Sequence, residues 1–253
     1  MLTPHQQARY ERQILFPPLG ETGQEKLLAG TVVVAGCGAI GAASAEMLVR
    51  GGVGHVRLVD FDVLELSNLQ RQTLYEEADV QTRPKVEIAA ERLARINSEI
   101  VIEPVLAKVT PENAVDLVRG ADVILDAVDN FAAKFALNAA AVKLGLPLVY
   151  AALSGSYALT MTVLPHETAC LCCLYCAEPD RGSSETAATA GVIGPSVNTV
   201  SSLQVSQALK VLIDDRESLP EGLLQVEVWD YELRTIKVPR RPDCAVCGGG
   251  DLA

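Results

Sequence analysis

An uncharged, β-branched run, Thr31–Ala35, leads directly into Gly36-Cys37-Gly38-Ala39-Ile40-Gly41, and helix-forming residues follow to about Arg50. Glycines at this spacing let a backbone turn sharply between strand and helix and bring its N–H groups close to an anion at the helix N-terminus. A second strand is expected at 55–60, ending in Asp60, which stands 19 residues after Gly41. A carboxylate at that place can accept hydrogen bonds from ribose hydroxyls. Strands alternating with helices favour a largely parallel sheet covered on both faces. The glycine turn alone leaves NAD, FAD and ATP open.

The alternation continues. Helices are expected at 83–97, 111–119, 130–144 and 195–213, and strands at 100–107, 121–126, 147–152 and 157–164. Weak strand signals at 226–229 and 234–238 suggest a terminal antiparallel pair. The predicted fold is α/β, Rossmann-like and doubly wound, with a mostly parallel sheet, antiparallel C-terminal strands and a tail clipped by zinc. One domain is expected over residues 1–253: an N-terminal arm at 1–30, a nucleotide-binding core at 31–165, and a cysteine cluster, crossover loop, helix, strands and tail at 166–253. The polar stretch 178–189 is read as a loop.

Composition narrows the class. The chain has 253 residues with a formal net charge of −11, a poor surface for gripping a nucleic-acid backbone. The uncharged stretches 27–45 and 146–164 contain glycines or proline and are read as buried strands meeting turns, not membrane spans. The opening MLTPHQQARYERQ has no apolar signal core, and seven cysteines fit a reducing compartment better than a disulfide framework. The protein is therefore read as cytoplasmic, without nucleic-acid or membrane partners.

Asp60-Phe61-Asp62-Val63-Leu64-Glu65-Leu66-Ser67-Asn68-Leu69-Gln70-Arg71-Gln72 resembles the DxDxVxxSNLxRQ signature of the ThiF/MoeB/HesA family, bacterial relatives of ubiquitin-activating enzymes. Arg9-Tyr10-Glu11-Arg12-Gln13 is similar to the family's RYxRQ, Arg83-Pro84-Lys85-Val86 to its RPKV, Asp126-Ala127-Val128-Asp129-Asn130 to D-x-x-D-N, and Cys244-Ala245-Val246-Cys247-Gly248 to its closing CxxCG. The resemblance spans nearly the whole chain. It implies carboxylate activation by ATP, with Gly36, Gly38, Gly41 and Asp60 cradling the nucleotide. Arg71 and Lys85 are the implied phosphate cations, a planar fork and a compact charge respectively. Asn68 would donate to the phosphates, Asp129 would hold Mg²⁺, and Arg12 would reach the phosphates from the second subunit of a homodimer. Taken singly, Arg71 and Lys85 would be solvated surface charges, and Asp129-Asn130 a helix cap. Asp62 is read as a neighbouring turn residue.

Cys170 and Cys173 form one CxxC and Cys244 and Cys247 another, the pattern of a closed four-thiolate Zn²⁺ site. Cys173 and Cys176 also form a CxxC, so the first pair is not unique. Cys37 is read as a space filler in the glycine turn.

The resemblance implies an adenylyltransferase acting on the C-terminal glycine of a ubiquitin-like sulfur-carrier protein ending in Gly-Gly, in molybdopterin or thiazole synthesis. The same fold could adenylate another carboxylate or a tRNA base. An NAD-dependent oxidoreductase would use the glycine turn but give no role to Arg71, Lys85 or the cysteine pairs. A non-catalytic zinc scaffold would not need Asp129. No sulfurtransferase domain is expected after Cys247. Some relatives carry a cysteine four residues before a G-V-[LI] element; here Gly191-Val192-Ile193 is preceded at that place by Ala187, so the reaction is expected to stop at the acyl-adenylate. The resemblance matches Cys170-x-x-Cys173-Leu174-Tyr175 to the family's first pair, while spacing alone leaves Cys173–Cys176 open; Cys172 and Cys176, free in the first arrangement, are the alternative thiols that could take the carrier covalently.

Overall fold

The computed structural model describes residues 1–176 and 190–248. The readings for 178–189 and Ala187 lie outside these residues. Among the described residues no helix is long and apolar enough to cross a membrane.

The first 30 residues, read above as an arm, form two helices. α1 (Pro4–Ile14) starts with a reciprocal cap, in which Thr3 Oγ1 accepts the Gln6 N–H and Gln6 Oε1 accepts the Thr3 N–H. Tyr10 docks it onto the core, its hydroxyl accepting from Asn97 Nδ2 at 2.9 Å. α2 (Gly20–Ala29) follows and leads into β1 (Thr31–Ala35).

The remaining order is α3 (Ala39–Gly51), β2 (His55–Asp60), α4 (Lys85–Ile96), β3 (Val101–Leu106), α5 (Ala114–Val118), β4 (Val123–Asp126), α6 (Phe131–Leu144), β5 (Leu148–Ser154), β6 (Tyr157–Val163), α7 (Leu171–Tyr175), α8 (Gly194–Leu212), β7 (Leu223–Glu227) and β8 (Glu232–Ile236). The strands form one sheet in the order β3-β2-β1-β4-β5-β6-β7-β8. β3 to β5 are parallel to one another, and β6, β7 and β8 run antiparallel to their neighbours. Strand order reverses between β1 and β4, which opens a crevice beyond their carboxyl ends.

Period-two alternation sends adjacent side chains to opposite faces. Val32 and Val34 pack with α3, α4 and α8 through Leu48, Leu93 and Ala208. Val33 and Ala35 pack under α5 and α6 through Val118 and Leu137. The four cysteines of the two outer CxxC pairs belong to that second face.

Two sets of boundaries differ from expectation, and one helix is additional. The 111–119 helix shortens to Ala114–Val118, because Asn113 Oδ1 accepts the Thr110 N–H and holds a turn ahead of it. The terminal strands begin earlier, and Trp229, expected in the first of them, occupies the exposed turn between them together with Tyr231, which has φ 59°. The additional helix is α7, a short turn with Cys170 at its N-cap and Cys173 within it.

Candidate active site

A cavity of about 870 Å³ lies beyond the carboxyl ends of β1, β2 and β4. Gly36, Gly38, Asp60, Asp62, Asn68, Arg71, Gln72, Lys85, Asp129 and Lys134 all line it.

The glycines differ in purpose. Gly36 has φ 94°, and a Cβ there would meet the Ala127 carbonyl oxygen at 2.5 Å. A Cβ on Gly41 would overlap the Gly36 carbonyl oxygen, so this glycine seats α3 against the turn. A Cβ on Gly38 would meet only Gln72 Nε2, at 3.5 Å. Packing among the described residues therefore does not require Gly38, whereas a ligand approaching the backbone would.

Asp60 is nearly buried at the end of β2, and both carboxylate oxygens accept backbone N–H groups: Oδ2 from Cys37 at 2.6 Å and Oδ1 from Asp62 at 2.8 Å. Burial pushes its carboxyl above the usual range, and these two N–H groups pull it back. Asn68 ends a short 3-10 turn, Leu66–Asn68, where Oδ1 accepts the Glu65 N–H. Its amide N–H₂ has no hydrogen-bond partner among the described residues. Arg71 donates from Nη1 to the Ser67 carbonyl at 2.9 Å. Lys85, the first residue of α4, is 5% exposed and lies 3.4 Å from Asp62 Oδ2. It is therefore no solvated surface charge, and Asp62 is its partner rather than an idle turn residue.

After β4, Asn130 caps α6 by accepting the Ala133 N–H at 2.9 Å. The capping duty falls on Asn130 and leaves Asp129 exposed at the cavity. Arg12 stands apart. Its side chain is 86% exposed on α1, its one ion-pair partner among the described residues is Glu11, and it is not among the residues lining the cavity.

Sequence reasoning missed Lys134 and Gln72. Lys134 is buried at the cavity wall, donating to Asp126 Oδ1 at 3.0 Å and to the Ala151 carbonyl at 2.7 Å. Its only signal was a cation inside the apolar run Phe131–Leu144. Gln72 is 4% exposed, with Oε1 unpartnered beside the glycine turn, and was visible only as part of the motif around Arg71.

Cys37 is fully buried and its thiol is pushed up to about 12, in keeping with a space filler. The other cysteines settle the ambiguous pair. Cys170, Cys173, Cys244 and Cys247 bring their sulfurs within 4.8 Å of one another, with Cys170–Cys244 at 3.7 Å and Cys173–Cys247 at 3.4 Å. Zn–S bonds of about 2.3 Å in a tetrahedron put sulfurs about 3.8 Å apart, so the set fits that ion. Cys176 is exposed and outside the cluster. The same knuckle reaches the cavity, because Tyr175 lines it and its hydroxyl lies 2.5 Å from that of Tyr150.

Residues 10–246 match the model of the ThiF family. The chain belongs to the ThiF family. This ThiF-family chain is 45% identical over 247 residues to the sulfur carrier protein ThiS adenylyltransferase of Bacillus subtilis, covering 96% of this chain and 72% of that one. It is 39% identical to the SAMP-activating enzyme E1 of Haloferax volcanii, over 96% of this chain and 90% of that one. The crystal structure of E. coli MccB with ATP superposes with a TM-score of 0.83 at 25% identity, covering 95% of this chain and 74% of that one.

Proposed function

We propose that this ThiF-family protein is an ATP-dependent adenylyltransferase that activates the C-terminal glycine carboxylate of a ubiquitin-like sulfur-carrier protein. One observation carries the reading: Arg71, Lys85, Asn68 and Asp129 converge on one cavity around the glycine turn. Two cations and an amide donor suit the charge of a triphosphate, and the added carboxylate of Asp129 suits a phosphate-bound divalent cation.

The Gly36–Gly41 turn presents backbone N–H groups to the phosphates, and Asp60 keeps a free lone pair on each oxygen for the ribose hydroxyls. Arg71 forks onto the phosphate oxygens, while Lys85, steadied by Asp62, adds a fixed positive charge. Asn68 donates through its free amide. Asp129 is the residue that would hold Mg²⁺, whose charge offsets that of the phosphates when bound. The cavity continues past Ala152, Ser154 and Tyr157, and an extended Gly-Gly tail entering there would reach the α-phosphate. The tail's carboxylate oxygen forms a bond to the α-phosphorus as the bond to the bridging oxygen breaks, and pyrophosphate leaves. No general base is required, since the attacking carboxylate is ionised at neutral pH. Alignment and charge neutralisation provide the catalysis.

Zn²⁺ would be held by Cys170, Cys173, Cys244 and Cys247 and would clip the tail after β8 to α7, keeping Tyr175 in the cavity wall. Arg12, so exposed on α1, would act across the interface of a homodimer.

ATP–pyrophosphate exchange with purified sulfur carriers tests the reading. Exchange should need a carrier with an intact Gly-Gly end and vanish in Asp129→Ala. Exchange with a different peptide or a tRNA, and none with any carrier, would overturn it. Mixed Arg12→Ala and Asp129→Ala dimers should regain activity; confirmed heterodimers without it would refute action across the interface.

A further inference from the structure

The Cys37–Gly38 peptide is anchored from its buried side. The Tyr75 hydroxyl donates to the Cys37 carbonyl oxygen at 2.6 Å, and lies 3.2 Å from Cys37 Sγ, whose thiol can donate back. Tyr75 is 6% exposed and follows closely on the Asn68–Gln72 segment. Its hydroxyl also sits 3.5 Å from the Lys85 carbonyl oxygen. The preceding peptide is held independently, through the Cys37 N–H on Asp60. The phenol therefore ties the glycine turn to the segment that follows Arg71, close beside the first turn of the helix that carries Lys85.

The geometry of the peptide gives this tie a direction. A trans peptide is planar, and its C=O and N–H point opposite ways. A Cys37 carbonyl fastened in the interior turns the Gly38 N–H outward. Gly38 lines the cavity, and its N–H has no partner among the described residues. Without the phenol, the carbonyl would be a buried acceptor lacking a donor, which is unfavourable. Rotation of the peptide would relieve that and would set a carbonyl oxygen, rather than an N–H, toward the cavity. An oxygen lone pair there repels an anion.

We propose that Tyr75 is a positioning residue whose hydroxyl fixes the Cys37–Gly38 peptide so that the Gly38 N–H is presented to an anionic phosphate group. The role rests on the nucleotide reading above and deepens it. The phosphate does not touch Tyr75; it meets the N–H that Tyr75 aims.

Tyr75→Phe keeps the ring and its packing and removes only the hydroxyl. Three measurements on the full chain test the idea. Calorimetric titration with ATP and Mg²⁺ should give a Kd about tenfold weaker than wild type, the effect of one hydrogen bond. Pyrophosphate exchange should show a raised KM for ATP with kcat near wild type, as for a lost binding contact. The Gly38 amide resonance of the nucleotide-free protein should move in the ¹⁵N–¹H spectrum, while resonances of the distant β7–β8 pair stay in place. A Kd within about twofold of wild type would overturn the proposal. So would weaker binding with an unmoved Gly38 resonance, or changes spread through the whole spectrum, which indicate a general packing defect. Wild-type protein that fails to bind ATP would sink the nucleotide reading instead. The Gly38 resonance needs no nucleotide and still tests what Tyr75 does to the peptide.

Discussion

Lys134→Met should destabilise the protein by about 3–5 kcal/mol at neutral pH, the cost of stranding one partner of a buried ion pair. Asp126 is 0% exposed and Lys134 5%, so water screens the pair far less than it would on the surface. The substitution keeps most of the aliphatic stem but deletes the 3.0 Å bond to Asp126 Oδ1 and the 2.7 Å bond to the Ala151 carbonyl. Asp126 would then keep a single N–H, from Val128 at 3.3 Å, while Oδ2 already has no partner. The sign of the pH effect follows. Burial holds the Asp126 carboxyl above its ordinary range, and Lys134 pulls it down by less. Without Lys134 it rises further. The native state then keeps a proton that the unfolded state has released, and stability falls as pH rises from the ordinary carboxylate value to the raised one. In acid, where the carboxyl is protonated in both states, the variant should lose little. Urea unfolding followed by circular dichroism at acidic and neutral pH measures this, and adding Asp126→Asn should recover much of the loss. A loss below about 1 kcal/mol, as for an exposed pair, or an equal loss at both pH values, would refute the reasoning.

Other predictions are simpler. Purified protein should carry about one Zn²⁺ per chain; elemental analysis should find it lost in Cys244→Ser and kept in Cys37→Ser. Gly41→Ala should cost about 1–3 kcal/mol of overpacking, because its Cβ overlaps the Gly36 carbonyl oxygen. Gly38→Ala should unfold like wild type yet bind ATP more weakly, since its Cβ meets only Gln72 Nε2 within the protein; unchanged affinity would place the phosphates elsewhere. Native alkylation at mildly alkaline pH, read by mass spectrometry, should label the exposed Cys176 well before Cys37, whose thiol is held up to about 12 by burial.

The sheet's parallel half was legible because each of its elements is local: a β-branched run, a glycine turn, a capped helix. β1 and β2 lie where those patterns put them, and Asn130 caps α6 as its residue type predicts. Arg71, Lys85, Asn68 and Asp129 were singled out only through the family's motifs, and the fold brings all four to the lining of one cavity. The first 30 residues were not legible, because what makes them helices of the core is a contact far along the chain, between Tyr10 and Asn97. Nor could sequence choose among the cysteines: Cys173 has equal spacing to Cys170 and Cys176, and only the return of the tail after β8 selects the first. Lys134, Tyr75 and Asp62 were passed over for the same reason. Their types are unremarkable in a list, and their effect comes from what the fold buries beside them. Spacing along a chain determines which backbone geometries are available, whereas the charge a lysine feels and the peptide a phenol can hold depend on neighbours that only the folded sheet brings within about 3 Å.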